Sequence, residues 1–582
     1  MSNLAAKFQQ AYLLHQRGEV LRAKTLYEEV LRKDPKHPGA LSLLGLLAGQ
    51  TGDLRHAAQL YAKVVELDPD NAAAHNNRGM ALQGLKQWEA AAASYHKAVK
   101  IKPEYTVAHC NLGNVLMELK QYDAALVSYE RAVALDTHNA AVHCNLGFVL
   151  EALGRLDEAL IRFDRALALK PDFAEAHYNR GNVLKGVKRW NEALVSYDRA
   201  VELNPTFVLT HHNRGLVLHE LRQWEAALAS YDQAISRSGD SADAYSDRGS
   251  ALRELGKYEM SRASFDRAIA LSPAHAAAHT NRGILRLLLG DFTGGWEDYE
   301  WRWRLADTSS LATHREFVEP RWSGSESLAG KTILLHNEQG FGDTLQFCRY
   351  AKVVAALGAR VILEVPTALS GLMKTLSGVS HLIVRGDVLP PFDYHCPLMS
   401  LPRSFNTRLE NIPVYPSYIS VDPVKVKRLQ GILGGKVKPR VGLVWRGSAD
   451  YKSIPLADLV QILPAKFEFV SLQKEVPEAD KATLERNPSI RDYSGELHDF
   501  SETAALCACL DLVISVDTSV AHLSGALGKP TWIAVMASPD WRWLLDRDDS
   551  PWYPSAKLYR QARIDDWGAA LAHIGRDLRD AL

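Results

Sequence analysis

The stretch VAHCNLGNVLMELKQYDAALVSYERAVALDTHNA at residues 107–140 is followed directly by AVHCNLGFVLEALGRLDEALIRFDRALALKPDFA at residues 141–174. Both segments are 34 residues long, and they share a glycine, a central alanine and an aromatic residue at matching positions. The glycine recurs at this spacing through half of the chain, at Gly45, Gly79, Gly113, Gly147, Gly181, Gly215, Gly249 and Gly283. Self-similarity at a fixed period of this length predicts an array of stacked structural units.

Each unit is predicted to be a helix, a turn and a second helix, because a period of 34 residues is that of the tetratricopeptide repeat. Small residues let two helices approach closely, and prolines such as Pro103 and Pro171 follow the second helix, where a helix must stop. We expect nine units over residues 4–309. A single hairpin cannot bury its own apolar face, so the units should stack into an α-solenoid whose concave groove holds a protein or peptide partner.

A row of asparagines lies on the first helix of successive units, and we call it the asparagine ladder. Asparagine is a weak helix former, so its recurrence in helix interiors calls for a reason. One reason is a peptide groove, in which side-chain amides grip the backbone of an extended segment. The other is that each asparagine bonds the backbone of a neighbouring repeat. The ladder consists of Asn77, Asn111, Asn145, Asn179, Asn213 and Asn281.

A parallel row of histidines favours packing and hydrogen bonding over metal binding. Neighbouring helices lie about 8–10 Å apart, whereas a zinc ion needs several nitrogens at about 2 Å. Histidines one repeat apart therefore do not share an ion readily, and no metal is expected. The row consists of His75, His109, His143, His177, His211 and His279.

The second half of the chain changes to short apolar runs that alternate with helical segments. Lys331–His336 is predicted to be a buried strand, Gly340 and Gly342 a tight turn, and Asp343–Leu357 one helix. Such alternation predicts parallel sheets covered by helices, an α/β fold of two Rossmann-like halves. We expect a linker at residues 310–330, an N-terminal half at 331–425 and a C-terminal half at 437–582. The aromatic residues Trp296, Tyr299, Trp301, Trp303 and Trp322 are expected to pack the repeats onto this half.

Three later segments should point into the cleft between the halves, from the carboxyl ends of strands. Arg446 and Lys452 supply positive charge after one strand, and Gln473 follows another. In the third segment, DTSVAHLSGALGKP, a strand ends at Asp517 and a helix opens at Thr518 and Ser519. Backbone amides at a helix start bind anions, and His522 adds a donor one turn later. Together these residues predict a phosphate site; the alternative role of Asp-Thr-Ser is simply to cap the helix.

The segment GFGDTLQF, followed by DTSVAHLSGALGKP, resembles the GT-B glycosyltransferases of the lipopolysaccharide heptosyltransferase type. Ser519 stands where that family usually has glycine. The repeats with their asparagine ladder are similar to those of the O-GlcNAc transferases. GWEDYEWRW, with the following PRWSGSESLAGKTILLHNEQGFGDTLQF, resembles bacterial proteins that join such repeats to a GT-B half.

The resemblance implies roles for individual residues. Asp343 matches the general base that takes a proton from the acceptor hydroxyl, with Glu338 and His336 as nearby substitutes; its alternative role is to cap the helix. Glu338, Gly340 and Gly342 form the acceptor-side turn. Lys452, assisted by Arg446, neutralises the leaving group. The remaining donor-binding residues are Gln473, Asp517, Thr518, Ser519 and His522. The nucleotide-sugar is a substrate, and no cofactor is expected.

Composition limits the classes of partner. Lys and Arg number 68, as do Asp and Glu, so no net charge draws the chain to nucleic acid. The N-terminal stretch does not match a secretory signal, no apolar run suits a membrane span, and the 6 cysteines form no CxxC pair. We therefore expect a cytoplasmic protein, and a homo-oligomer is compatible with the sequence.

Three functions are compatible with the sequence. The first is a GT-B, metal-independent transferase that moves a sugar from a nucleotide-sugar to Ser or Thr hydroxyls of a protein, such as flagellin or another surface protein, held by the groove. The second is transfer to a glycan or lipid-linked acceptor, with the repeats serving assembly. The third is a protein-binding scaffold without catalysis.

Overall fold

The computed structural model describes residues 3–305, 315 and 317–581. The chain forms two compact units, residues 1–238 and 239–582. The predicted end of the repeat array at residue 309, and residues 310–314 and 316 of the predicted linker, lie outside the described residues.

The described part of the first unit is a succession of antiparallel helical hairpins in which each helix packs on the next. Turns of a few residues separate them, as the repeat pattern predicts. The helices are α1 (Asn3–Gln16), α2 (Val20–Lys33), α3 (Pro38–Gln50), α4 (Leu54–Leu67), α5 (Ala72–Gly84), α6 (Trp88–Ile101), α7 (Thr106–Glu118), α8 (Tyr122–Leu135), α9 (Ala140–Ala152), α10 (Leu156–Leu169), α11 (Ala174–Gly186), α12 (Trp190–Leu203), α13 (Val208–Glu220) and α14 (Trp224–Ser238).

The recurring glycine is required by the aromatic residue of the same unit. A Cβ added at Gly113 would lie 2.7 Å from the ring of Tyr129, and one at Gly147 would lie 2.8 Å from the ring of Phe163. Neither distance is compatible with a side chain, so the first helix of a unit lies directly against the ring of the second. This contact explains why both residues recur in one frame.

The second unit begins with α15 (Ala242–Glu254), α16 (Tyr258–Leu271), α17 (Ala276–Leu288) and α18 (Phe292–Tyr299), followed by a 3-10 turn at Glu300–Arg304. The prediction of tetratricopeptide helices is confirmed through α18. The predicted aromatic packing is present inside this unit: Trp296 is buried, and its indole N–H donates to the carbonyl of Thr407 over 3.0 Å.

A four-stranded parallel sheet follows, with strand order β3-β2-β1-β4. Its elements are β1 (Thr332–His336), α19 (Phe341–Phe347), α20 (Tyr350–Ala356), β2 (Arg360–Val365), α21 (Thr367–Met373), β3 (His381–Val384), β4 (Tyr394–Pro397) and α22 (Leu401–Ser404).

A second parallel sheet has the strand order β10-β9-β8-β5-β6-β7. Its elements are α23 (Pro423–Leu433), β5 (Arg440–Val444), α24 (Leu456–Val460), β6 (Glu468–Ser471), α25 (Glu478–Arg486), β7 (Ile490–Asp492), α26 (Phe500–Ala508), β8 (Leu512–Val516), α27 (Ser519–Ala526), β9 (Thr531–Val535), β10 (Ala556–Arg560) and α28 (Gly568–Asp580). The prediction of parallel sheets is confirmed, while β7 and β10 were not predicted.

The single helix predicted for Asp343–Leu357 is wrong, since α19 and α20 are separate. The buried Arg349 side chain donates to the carbonyl of Gln346 over 2.7 Å. In a continuous helix, the carbonyl of Gln346 would instead accept a hydrogen bond from the backbone N–H of Tyr350. The start was also mispredicted, because α19 begins at Phe341 with Gly340 as its N-cap.

One hydrophobic core joins the last repeat to the first sheet. It includes Leu287 and Trp296 from the repeat, Leu335 from β1, and Trp541 and Trp552 from segments after β9. Of the helices in the described part of the chain, none combines the length and apolar character that crossing a bilayer requires.

Candidate functional site

The early turn places Asp343 at the third position of α19, just beyond the carboxyl end of β1. Its Oδ2 accepts the backbone N–H of Gly340 over 2.8 Å. The predicted capping alternative is therefore partly present: Asp343 is not the N-cap residue, but its side chain returns to the N-cap backbone. This bond holds one carboxylate oxygen and leaves the other for a second partner.

The late segment meets this turn directly. Helix α27 packs against α19, and a Cβ added at Gly342 would lie 2.7 Å from Cδ2 of His522. Glycine at this position therefore lets the two helices meet. The structure brings together the two segments that the sequence marked independently, at the carboxyl ends of β1 and β8.

Arg542 links the two sides of the site. Its guanidinium forms an ion pair with Asp343, and a second one with Asp540 at 2.8 Å. Its Nε donates to Gln346 over 2.8 Å. Arg542 lies in the segment after β9, which the sequence analysis did not mark.

Asp517 directly follows β8 and is a carboxylate whose pKa the site raises. Burial, followed by the charge of Asp540, raises the pKa of Asp517 to about 6, against the lowering effects of Lys452 and Arg542. Burial also raises the pKa of Asp343, and Arg542 opposes that rise. A carboxylate with a raised pKa is a stronger base than one in water, which suits proton transfer near neutral pH.

His522 is a neutral residue in this site. Burial and the charge of Arg542 lower its pKa to about 3. Its Nδ1 lies 2.9 Å from the hydroxyl of Tyr553, and its ring stacks on Trp543 with centroids 5.3 Å apart. Its Nε2 lies 4.0 Å from Oδ1 of Asp517. The ring therefore supplies hydrogen bonding without positive charge.

The N-cap of α27 makes no side-chain capping bond. This residue is Thr518, and its hydroxyl lies 3.1 Å from that of Ser515. Ser519 is the first helical residue, and it is partly exposed. The capping role considered for Asp-Thr-Ser is thus not filled by the threonine hydroxyl.

The two predicted cations differ in their surroundings. Arg446 forms ion pairs with Asp450 at 2.8 Å and with Asp480 at 3.2 Å, so carboxylates already compensate its charge. Gln473 accepts the backbone N–H of Arg446 over 3.2 Å, which makes it a support for that loop. Lys452 is half-buried and acts electrostatically on Asp517 and Asp540.

Glu338 is bound to the end of the repeat helices. It is 1% exposed, and its two oxygens accept from Arg302 over 2.9 and 3.0 Å. Burial raises the pKa of Glu338, and Arg302 opposes that rise. His336 lies 3.1 Å from His395 through ring nitrogens. Both side chains are therefore engaged within the fold, while Asp343 of the same turn lies on α19, which packs against α27.

The asparagine ladder forms lateral bonds along the repeats. Asn111 donates to Asn76 over 3.1 Å, and Asn145 donates to Asn114 over 3.1 Å. Asn77, Asn179, Asn213 and Asn281 likewise reach side chains of the preceding repeat. These hydrogen bonds join side chains, whereas the second interpretation of the ladder predicts bonds from each asparagine to the backbone of a neighbouring repeat. Asn213 uses both of its amide hydrogens, since it also donates to the hydroxyl of Tyr178 over 3.2 Å.

The histidines of the row form hydrogen bonds with the turns between units. His75, His109, His143, His177, His211 and His279 each bond through Nε2 to the backbone carbonyl six residues earlier, over 2.8–3.2 Å. Because a carbonyl only accepts, each Nε2 carries the proton. In the described residues, His, Cys, Asp and Glu side chains form no group of three arranged to hold a metal ion.

Asp540, Arg542 and Tyr553 belong to the site but were not predicted; they lie within SPDWRWLLDRDDSPWYP. The signal was the density of tryptophan and charge just after a predicted strand. A chain segment there leaves the carboxyl edge of a sheet, where sites of α/β folds lie.

The chain is similar to solved structures of other proteins. The crystal structure of YrrB, described as a TPR protein with an unusual peptide-binding site, is 27% identical and covers 32% of this chain and 96% of its own, with a TM-score of 0.29. PilF of Pseudomonas aeruginosa is 22% identical and covers 36% of this chain and 94% of its own, with a TM-score of 0.33.

Protein FlbA of Caulobacter vibrioides is 27% identical over 329 residues, which cover 50% of this chain and 53% of FlbA. The chain thus spans about half the length of this curated relative. Family models of the tetratricopeptide repeat match residues 8–70, 42–106, 174–207, 196–229 and 246–300, and one of the TPR repeat matches 113–154 and 152–186. The chain therefore contains tetratricopeptide repeats, which point to protein partners.

Proposed function

We propose that the chain is a glycosyltransferase of the GT-B type, which transfers a sugar from a nucleotide-sugar to a Ser or Thr hydroxyl of a protein bound by the repeats. One observation carries this proposal: helix α19, which holds Asp343, packs against α27, which the Asp517–His522 segment enters, at the carboxyl ends of parallel strands. In open α/β sheets that edge is where ligands bind.

In the proposed reaction, Asp343 removes the proton of the acceptor hydroxyl while the oxygen of that hydroxyl attacks the anomeric carbon of the sugar. The bond between that carbon and the phosphate oxygen breaks, and the nucleotide leaves with the bonding electrons. Charge then develops on the leaving phosphate, close to the start of α27 and Lys452. Backbone amides and a cation fixed in advance stabilise such charge most strongly.

The repeats would supply the protein acceptor. Tetratricopeptide hairpins present a concave surface to partners, and the ladder asparagines lie on the first helix of each hairpin. Their lateral bonds fix the amides in place, so any hydrogen-bonding atom left over is already oriented. Oriented amides suit recognition of a peptide backbone, because ordering them costs less on binding.

The test uses the purified full chain with UDP-, GDP-, ADP- and CMP-linked sugars and candidate acceptor proteins. Transfer is measured as a gain in the intact mass of the acceptor, together with release of the nucleotide. We expect one nucleotide class to support both signals. If no donor releases nucleotide and no acceptor gains mass, the proposed reaction is wrong.

Asp343→Asn isolates the role of the base. The amide keeps the size of the side chain but cannot accept the proton, so we expect transfer to fall at least about 100-fold, the lower range for general-base catalysis. Donor affinity should stay within a few fold. Turnover equal to that of the wild type would remove Asp343 from the mechanism.

A second candidate function is a protein-binding scaffold. The observation that favours it is charge pairing in the site, since carboxylates already compensate both Arg446 and Arg542. A scaffold would bind its partner through the repeats and show neither nucleotide release nor thermal stabilisation by any nucleotide. Calorimetry with the free nucleotides separates the two functions.

A further inference from the structure

Arg542 is bound more completely than a cation that waits for a ligand. Its side chain is 8% exposed, and each of three guanidinium nitrogens has a partner. Nη2 donates to Asp343, Nη1 to Asp540 over 2.8 Å, and Nε to Gln346 over 2.8 Å. A planar guanidinium with this many partners has one permitted orientation.

The segment that carries Arg542 is itself held by the last repeats. The hydroxyl of Ser538 donates to Glu254 at the end of α15 over 2.8 Å. The ring of Trp541 meets that of Trp296 in α18 edge to face, with centroids 5.2 Å apart. The guanidinium carbon of Arg542 lies 4.3 Å from the centre of the Trp541 ring. The repeats thus fix the place from which Arg542 reaches Asp343.

These contacts determine the orientation of the Asp343 carboxylate. Oδ2 accepts the N–H of Gly340, while Oδ1 accepts from Arg542. With one bond to each oxygen, the carboxylate plane cannot rotate freely, and its remaining lone pairs have fixed directions. A base must point at its proton before it can remove it, and a misplacement of about 1 Å costs about 100-fold in rate.

We propose that Arg542 is a positioning residue, which fixes the carboxylate of Asp343 in the orientation that receives the acceptor proton. This inference rests on the proposed transferase function. It assigns the arginine to the acceptor side of the reaction, and it makes the last repeats part of the support of the catalytic base.

The charges around Asp343 give this role a measurable signature. Arg542 lowers the pKa of Asp343 while burial and Asp540 raise it, and the Tyr299 hydroxyl is a further titratable group nearby. In the pH profile of kcat/KM, activity falls on the acid side as the base is protonated, and Arg542→Gln should therefore move this acid limb to higher pH. Asp540→Asn should move it to lower pH. Arg542 and Asp540 act in the same directions on the pKa of Asp517, so carbon-13 titration of Asp343 is needed to assign the limb to this residue.

Arg542→Lys separates charge from orientation. Lysine keeps the positive charge but cannot bind Asp343, Asp540 and Gln346 together. We expect the acid limb to stay close to that of the wild type, while kcat falls about 10- to 100-fold. A wild-type kcat in Arg542→Lys would overturn the positioning role.

The matched control is Arg440→Gln, at the opposite end of the second sheet. Arg440 is also buried and paired with a carboxylate, Glu468, at 2.8 Å. Its loss should lower stability without moving the acid limb. An equal shift in this variant would overturn the proposal, because the effect would then be general.

A second readout does not depend on turnover. Carbon-13 NMR of protein labelled at the aspartate carboxyl groups, with the Asp343 signal identified by its absence in Asp343→Asn, follows the protonation of this residue directly. Movement to higher pH in Arg542→Gln and to lower pH in Asp540→Asn supports the proposal, and an unmoved titration overturns it. If the wild type transfers no sugar, the function fails by the mass assay, while the coupling of Arg542 to Asp343 is still decided here.

Discussion

The protonation of Asp517 links the candidate site to the free energy of unfolding. Its side chain is 14% exposed at the end of β8, where burial and Asp540 raise its pKa to about 6 from an ordinary value of 3.8. A carboxyl whose folded-state pKa lies above its unfolded value stabilises the fold fully below the unfolded pKa. That contribution is lost as the pH rises through the folded-state pKa.

We therefore predict that Asp517→Asn gains stability relative to the wild type as the pH rises from about 4 to 8. The gain should approach about 3 kcal/mol in free energy of unfolding, because the amide never takes up the buried charge. Urea denaturation at several pH values measures it. A difference independent of pH would contradict the raised pKa.

The control lies at the other end of the same strand. Hydrogen bonds and ion pairing with Lys436 lower the pKa of Asp511 despite partial burial. Asp511→Asn should therefore lose stability relative to the wild type as the pH rises through the range in which an unfolded aspartate ionises. The two aspartates should show opposite signs in one experiment.

Within a helix, two glycines of α11 have different reasons to be glycine. A Cβ at Gly181 would lie 2.7 Å from the ring of Tyr197, whereas a Cβ at Gly186 would meet no atom within 4 Å. The first position brings two helices together. The second is only the last residue of its helix.

Gly181→Ala is predicted to cost about 1–3 kcal/mol, because the methyl group must displace the tyrosine ring. Gly186→Ala should be neutral, or stabilising by about 0.5–1 kcal/mol, since alanine restricts the unfolded chain more than glycine does. Chemical denaturation of both variants measures the difference. Equal effects would mean that the close helix contact is not what selects glycine.

The ladder asparagines of α9, α11 and α13 are predicted to bind the protein acceptor. Replacing Asn145, Asn179 and Asn213 together with Ala should weaken acceptor binding in titration calorimetry and leave nucleotide release unchanged. Part of the change will appear as lost stability, about 1 kcal/mol for each lateral bond. Unchanged acceptor affinity would assign the ladder to repeat packing alone.

Across the whole second unit, a buried ion pair joins the repeat helices to the α/β part. Arg302 is 1% exposed and binds Glu338, Glu300 and Ser400, which belong to three separate segments. Buried pairs add little net stability, but removing one partner leaves the other charged and unpaired.

Arg302→Met is therefore predicted to destabilise the second unit by about 3–5 kcal/mol. Hydrogen exchange should rise in the 3-10 turn at Glu300–Arg304 and in α19. The double variant Arg302→Met with Glu338→Gln should recover part of the loss, because the unpaired charge is then gone. A double variant as unstable as the single one would show that packing, and not charge, is decisive.

Much of the fold was predictable because its signals are local and repeated. The 34-residue spacing of glycine and aromatic residues follows from a contact within one hairpin, as in Gly147 and Phe163. The apolar run predicted as a strand at Lys331–His336 contains β1, since a parallel strand buried on both faces is mostly apolar. The helix break at Arg349 was not predictable, because the side chain of Arg349 binds Trp552 and Tyr418, which are remote in the chain.

The repeats, the parallel sheets and two candidate segments could be predicted from the sequence, because periodicity, strand length and turn residues act between near neighbours. The tertiary structure was needed to show that Asp480 compensates Arg446, that Glu338 binds Arg302, and that Arg542 binds Asp343. Those pairings depend on burial and on distances between groups remote in the chain. The charge and direction of a side chain in a site are set by what the fold brings within a few ångströms of it, and no spacing along the sequence encodes that.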